Sequence, residues 1–296
     1  MKCFYHNDLD GHCAGSLVAR YENNYNIEDF YEVDYNQELP INKVQDEEKV
    51  YFVDYSFTEK TVHSLVTLMS KRCEIIWIDH HESSLKLEEN EKYPWLKNIK
   101  GIRNKDYCGA MLTYFYLYLE GEFNKEVIEK LTPEYIKYVD DYDCWKYNFN
   151  ELTNYFKLGI ETLDWSVFSD IWNTFYVQDE NAKTDLIREV IQTGKIIKTY
   201  IDNDNEKYRN QYMYESSIGG YKCAVINRKT NSWIFGEKYK EYPLVMVWAF
   251  NGEKYSFSIF SSNPKVNCAA IAESYGGGGH VGAAGFTLDN MPFIKI

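Results

Sequence analysis

The chain has 296 residues, longer than one ordinary domain, so two domains are expected. Acidic side chains number 45 against 32 basic ones, a net charge of −13; this excludes a basic surface that wraps long nucleic acid, but not a small phosphorylated substrate held through divalent cations. Seven cysteines, an odd number without a C-x-x-C pair, exclude a thiolate zinc cluster and a disulfide framework and read as reduced thiols.

In chain order, KCFY (2–5) reads as a strand and GHCAGSLVARYE (11–22) as a helix with Leu17, Val18 and Tyr21 on one face. VYFV (50–53) is a second strand, followed by a helix over 58–72 with Thr58 as its N-cap. EIIWI (74–78) is a third strand, and LEENEK (87–92) reads as a solvated charged loop. After Gly101 the pattern is helical, over 106–120, 125–145 and shorter segments to about 176. Short β runs alternating with helices predict a parallel sheet with crossover helices. A polar, weakly amphipathic stretch over 184–212 reads as a helical connector, broken or bent near Gly194. Beyond it come strand YKCAVIN (221–227), a helix around 233–241, a hairpin turned by Asn251-Gly252, and a short helix over 267–275 that meets GGGGHVGAAGF.

The expected architecture is therefore α/β: a parallel-sheet domain with crossover helices over 1–183, a helical connector over 184–212, and a smaller α+β domain over 213–296. The longest strongly apolar run, LVMVWAF (244–250), is too short to span a bilayer, and MKCFYHNDLDG at the N-terminus has no long apolar stretch. A soluble, cytoplasmic protein without a membrane partner is expected.

Three of these strands end alike. The first runs into His6, Asp8 and Asp10, the second into Asp54, and the third into Asp79, His80 and His81. Taken singly, HNDLDG would be an Asx-rich turn capping the next helix, and Asp54 a hydrogen-bonded strand end. Taken together, they converge, because the carboxyl ends of neighbouring parallel strands face one crevice. So many carboxylates in one crevice raise one another's pKa unless cations compensate. Imidazole and carboxylate ligands without thiolate suit manganese, with magnesium, iron or cobalt as substitutes, and this many ligands point to two ions sharing a carboxylate.

The IDHH at the third strand end, the upstream HNDLDG and the strand-end aspartate resemble the DHH superfamily of phosphoesterases. VNCAAIAESYGGGGHVGAAGF resembles the glycine-rich signature of the associated domain in its RecJ-type and nanoRNase branches. The spacing His6-x-Asp8-x-Asp10 and the later YDCW (142–145) are most similar to nanoRNase B-type oligoribonucleases. The resemblance implies that His6 and Asp8 bind one metal, Asp10 and His80 the other, and that Asp54 bridges them. The aspartate of the fourth motif maps to Asp143, with Asp140 and Asp141 close by and read as a solvated helix face. Asp79 is then an orienting residue, and His81 faces the substrate phosphate. Asp54 and His81 are the implied catalytic residues.

By composition alone, four glycines could be a helix C-cap running into a linker. Followed by His280 and VGAAGF, they read as a loop whose N–H groups cradle a phosphate or sugar edge, with Gly277, Gly278, Gly279 and His280 binding substrate and a strand returning after them. Where relatives place an arginine on the hairpin strand, this chain has Ser258, so the expectation is either a weaker substrate grip or one supplied by Arg228 or Lys229. With no G-x-S-x-G and no P-loop, the expectation is a two-metal phosphodiesterase acting on short oligonucleotides, from the 3′ end by resemblance. The alternatives are a phosphatase for bisphosphorylated adenosine, a cyclic dinucleotide phosphodiesterase, an inorganic pyrophosphatase and a non-catalytic nucleotide-binding regulator. Long duplex nucleic acid is not an expected partner, and none of these motifs encodes an oligomeric state.

Overall fold

The computed structural model describes residues 1–35, 37–121, 124–176 and 180–293. The chain divides into two compact units, Met1–Ile197 and Lys198–Ile296.

The first unit is built on a parallel sheet. Its strands are β1 (Lys2–His6), β2 (Phe30–Val33), β3 (Lys49–Val53) and β4 (Glu74–Ile78), in the spatial order β2-β1-β3-β4. Alternation along each strand makes two cores. Cys3, Tyr5, Tyr51, Val53, Ile76 and Ile78 point to one face, and Phe4, Val50, Phe52, Ile75 and Trp77 to the other. Burial on both faces explains why these strands read as continuous apolar runs rather than alternating ones. The edge strand β2, FYEV, escaped the sequence reading because it is short and carries Glu32 on an exposed position.

Helix α1 (Leu9–Tyr21) follows β1, α2 (His63–Ser70) lies between β3 and β4, and α3 (Glu82–Glu88) follows β4. Thr58 does not cap α2, whose N-cap is Val62; residues 58–62 form a separate turn in which Thr61 and Val62 N–H donate to Thr58 O. After α4 (Gly109–Tyr118), the expected helix over 125–145 is two helices, α5 (Lys125–Leu131) and α6 (Glu134–Asp143), because Pro133 cannot donate an interior helix bond. Helices α7 (Glu151–Ile160) and α8 (Asp170–Tyr176) complete the core on the α1 and α4 side.

Helix α9 (Glu180–Tyr212) runs unbroken through Gly194, contrary to the expected break. A Cβ at Gly194 would meet Tyr155 O at 1.7 Å, and one at Gly159 would meet Val190 O at 1.9 Å. The two glycines serve close packing of α7 on α9. The division between the compact units falls inside this helix.

The second unit is a mixed sheet of β5 (Tyr214–Ile218), β6 (Tyr221–Asn227), β7 (Leu244–Phe250), β8 (Tyr255–Phe260), β9 (Gly278–Gly279) and β10 (Ala283–Leu288), in the order β5-β6-β7-β8-β10-β9. The β7–β8 hairpin turns at Asn251-Gly252 as expected, with Gly252 at φ 100°. The expected helix around 233–241 is a 3-10 turn, Ser232–Phe235, followed by α10 (Lys238–Glu241), and α11 (Cys268–Glu273) packs beside β10. Among the described residues, no helix is long and apolar enough to cross a membrane, and all seven cysteines are free.

Candidate metal centre

Strand register brings the expected cluster together. Tyr5 pairs with Val53 and Val53 with Ile78, so the residues that follow leave the sheet side by side. Asp8 caps α1 through Oδ1, which accepts the Gly11 N–H at 2.9 Å, while its Oδ2 lies 2.9 Å from His6 Nδ1. The capping turn and the cluster are thus one structure rather than alternatives.

Asp54 is the hub. It is 1% exposed and sits at φ 55°, a left-handed conformation that a non-glycine residue keeps only where its surroundings enforce it. His80 Nε2 lies 3.2 Å from Oδ1, His81 Nδ1 3.9 Å from Oδ1, and His6 Nδ1 3.6 Å from Oδ2. Neither oxygen is met by a donor in hydrogen-bond geometry, and the same holds for Asp143 Oδ2. His80 Nε2 also stands 3.3 Å from Asp143 Oδ2 and 3.8 Å from Asp10 Oδ2.

Asp10 is placed by α4. Its carboxylate accepts the N–H groups of Gly109 and Ala110 at 2.6 and 2.7 Å, the anion-binding end of that helix. Asp79, fully buried, accepts from His81 Nδ1 at 2.8 Å and takes the Ser84 hydroxyl on its other oxygen. Orienting an imidazole is therefore what Asp79 does here.

The charges are strongly coupled. Burial alone would raise the pKa of Asp54, but the facing His6 and His80 outweigh it and hold the carboxyl well below the usual range. Burial disfavours an imidazolium at His6, yet Asp54 and Asp8 lift its pKa to about 10; His80 and His81 are raised by the same competition. Burial pushes Asp143 up to about 7, against the pull of His80, and Asp10 is also raised, by burial and then by Asp54.

Among the described residues, three groups have ligand atoms within 4.8 Å of one another: His6, Asp8 and Asp54; Asp54, Asp79, His80 and His81; and His80, Asp143 and Cys144. Buried carboxylate oxygens without donors, facing imidazole nitrogens, fit divalent cations. Cys144 was missed by the sequence reading, and burial pushes its thiol up to about 11, which keeps it a weak partner beside the carboxylates.

Asp140 and Asp141 do not form a solvated helix face. They are 6% and 1% exposed. Asp140 accepts from Cys108 N at 2.8 Å and Lys146 Nζ at 2.5 Å; Asp141 accepts from Asn148 N at 2.7 Å, Phe149 N at 3.2 Å and the Thr153 hydroxyl. Both are structural anchors, and Asp143 alone of the three faces His80. Tyr35 is a further residue the sequence reading missed, since it follows the unrecognised β2; its hydroxyl lies 3.5 Å from His81 Nε2.

In the second unit, the glycine run is less open than expected. Gly276 N and Gly277 N donate to Glu273 O and Ala272 O as the cap of α11, Gly278 and Gly279 pair with β10, and His280 N donates to Ala283 O at 2.7 Å. The Gly276, Gly277 and His280 amides are taken up by these bonds, whereas Gly278 and Gly279 lie on the exposed edge of the sheet and the His280 side chain is exposed. Arg228 is held by Asp204 at 2.7 Å and lies over the Tyr208 ring, Lys229 is exposed, and Ser258 pairs with Gly285 in the sheet.

No family model matches the sequence. An uncharacterized protein of Acanthamoeba polyphaga mimivirus is 23% identical in an alignment 265 residues long that covers 83% of this chain and 56% of that protein; the chain spans little more than half of that curated relative. The DHH domain of a member of the s1p family of ribosomal proteins matches with a TM-score of 0.60 at 13% identity, over 96% of this chain and 81% of that one. PggH, a pGpG-specific phosphodiesterase from Vibrio cholerae, matches with a TM-score of 0.55 at 14% identity, over 98% of this chain and 94% of that one. The chain has the DHH-type fold.

Proposed function

We propose that this DHH-fold chain is a divalent-metal phosphodiesterase that hydrolyses short oligonucleotides to mononucleotides. The observation that carries the reading is Asp54: a buried carboxylate with no donor on either oxygen, faced by His6, His80 and His81. His6 and Asp8 would hold one cation and Asp10 and His80 the other, with Asp54 shared and Asp143 completing the set. Manganese suits these donors, and magnesium or cobalt could replace it. Bound cations would supply positive charge against the phosphate oxygens and lower the pKa of a water.

The chain's own residues do the positioning. Asp79, fixed by Ser84, holds His81 by Nδ1 and leaves Nε2 to donate to a phosphate oxygen as negative charge develops there. Tyr35, whose hydroxyl is close to that nitrogen, stands where it can contact the same oxygen. The strained backbone of Asp54 and the α4 amides on Asp10 fix the carboxylates before substrate arrives, which is the preorganisation that such catalysis requires. Without a P-loop or nucleophile elbow in the sequence, water is the attacking group.

Short substrates are supported by the acidic charge balance, which disfavours long polyanions, and by the fold shared with PggH, whose substrate pGpG is a linear dinucleotide. In this reading the residues over 213–296 bind substrate, with His280, Gly277 and the exposed Gly278 and Gly279 as contacts, the residues over 1–183 carry the metals, and the protein works in the cytoplasm without a membrane or long duplex nucleic acid as partner. The test is metal-stripped protein given manganese and RNA of two to five nucleotides. Mononucleotides should appear with wild type and not with Asp54→Asn; release that persists in excess chelator would reject the reading.

A further inference from the structure

Trp145 follows directly on Asp143 and Cys144, and its indole is 74% exposed, the highest value for a large apolar side chain among the described residues. It is not on a loose segment. Trp145, Tyr147 and Asn150 have φ of 55°, 50° and 54°, three left-handed non-glycine residues within one short loop. A bulky side chain adopts that conformation only where its surroundings impose it.

The constraint is visible. Buried Asp141 binds Asn148 N, Phe149 N and the Thr153 hydroxyl, its carbonyl accepts from Lys146 N and Tyr147 N, and Trp145 N donates to Tyr142 O at 3.1 Å. Lys146 is drawn inward to Asp140 and lies over the Tyr107 ring. The neighbours of Trp145 are thus tied into the fold while the indole is held out, one residue from the cysteine that lies beside His80 and Asp143.

We propose that Trp145 is the platform on which a base of the substrate stacks while its phosphate lies at the metal centre. This rests on the phosphodiesterase reading and deepens it. Two peptide units separate Trp145 from Asp143, at most ~7.6 Å between Cα atoms, which is within reach of a base whose own phosphate sits at the cluster. Every base has a π-face, so the platform confers a requirement for a nucleobase without choosing its sequence. With the loop backbone fixed in advance, only the two side-chain torsions of Trp145 remain to be ordered when a base covers the indole.

The test compares pApA with its doubly abasic analogue in the manganese-loaded protein. Trp145→Ala should raise KM for pApA about five- to a hundredfold, leave kcat nearly unchanged, and leave the abasic analogue unaffected. Trp145→Phe should restore most of the affinity. Equal losses on both substrates, or no loss on either, would overturn the proposal. If wild type hydrolyses neither substrate, the phosphodiesterase reading has failed, and the platform is then decided by binding: pApA should quench indole emission in wild type and not in Trp145→Phe, and equal quenching would overturn it.

Discussion

Gly109 offers a substitution whose effect can be worked out in advance. It opens α4, donates its N–H to Asp10 Oδ2 at 2.6 Å, and lies against Asp54. A Cβ at this position would meet Asp54 Cβ at 2.5 Å and both Asp54 Cα and Asp10 Oδ2 at 3.0 Å. Its backbone is not left-handed, so alanine brings no φ strain, and at the first position of the helix it gains little propensity. Carbon atoms rest comfortably near ~3.5 Å, so Asp54 and α4 must part by about 1 Å. Overpacking of this kind costs about 1–3 kcal/mol, a melting temperature lower by no more than ~12 °C. A catalytic group displaced by about 1 Å loses ~100-fold in rate. The signature is that split: manganese-dependent kcat/KM on pApA falls about a hundredfold while differential scanning fluorimetry shows a folded protein. A Gly109→Ala variant with wild-type kcat/KM would refute the placing of Asp54 as the hub.

Other outcomes follow from the same geometry. Asp143→Asn should abolish activity with little change in melting temperature, whereas Asp140→Asn should lower stability by about 1–3 kcal/mol, because Lys146 and Cys108 N lose a charged partner; the reverse ranking in activity would show that the wrong aspartate faces the metals. Asp143, with a folded pKa of about 7 against an ordinary 3.8, stabilises the fold fully below 3.8 and stops doing so as pH rises through 7. His6, at about 10 against 6.5, acts in the same direction over the higher window, so the metal-free protein should melt at a lower temperature at pH 8 than at pH 5.5. Cations need both groups deprotonated, so the rise in melting temperature on adding manganese should be larger at pH 8 than at pH 6, and a constant increment would contradict this. His280→Ala should raise KM without changing metal stoichiometry, measured by elemental analysis; fewer bound ions would place His280 in the metal centre instead.

What was legible in the sequence was what local pattern controls. The β1, β3 and β4 runs are buried on both faces, so they stand out as apolar segments, and chemistry-bearing residues follow each directly. Parallel pairing then makes convergence of His6, Asp54, Asp79 and His80 a consequence of register. The rest depends on partners distant in sequence. Asp140 and Asp141 look solvated by helical position, but Cys108 and the 146–153 segment cover them. Gly194 looks like a breaker because its reason, the backbone of α7, is some forty residues away. Tyr35 was invisible because the strand it follows is a four-residue edge, and Trp145 because exposure and a left-handed backbone leave no trace in composition.

The central claim, metal-dependent cleavage of short oligonucleotides, is tested most directly by initial rates on one panel with added manganese: RNA of two to five nucleotides, long RNA, duplex DNA, cyclic dinucleotides, bisphosphorylated adenosine and pyrophosphate. The account predicts that the short RNAs are cleaved fastest, that mononucleotides are the product, and that chelator stops the reaction. Hydrolysis of the bisphosphate far faster than any dinucleotide would contradict it and make the same metal centre that of a nucleotide phosphatase.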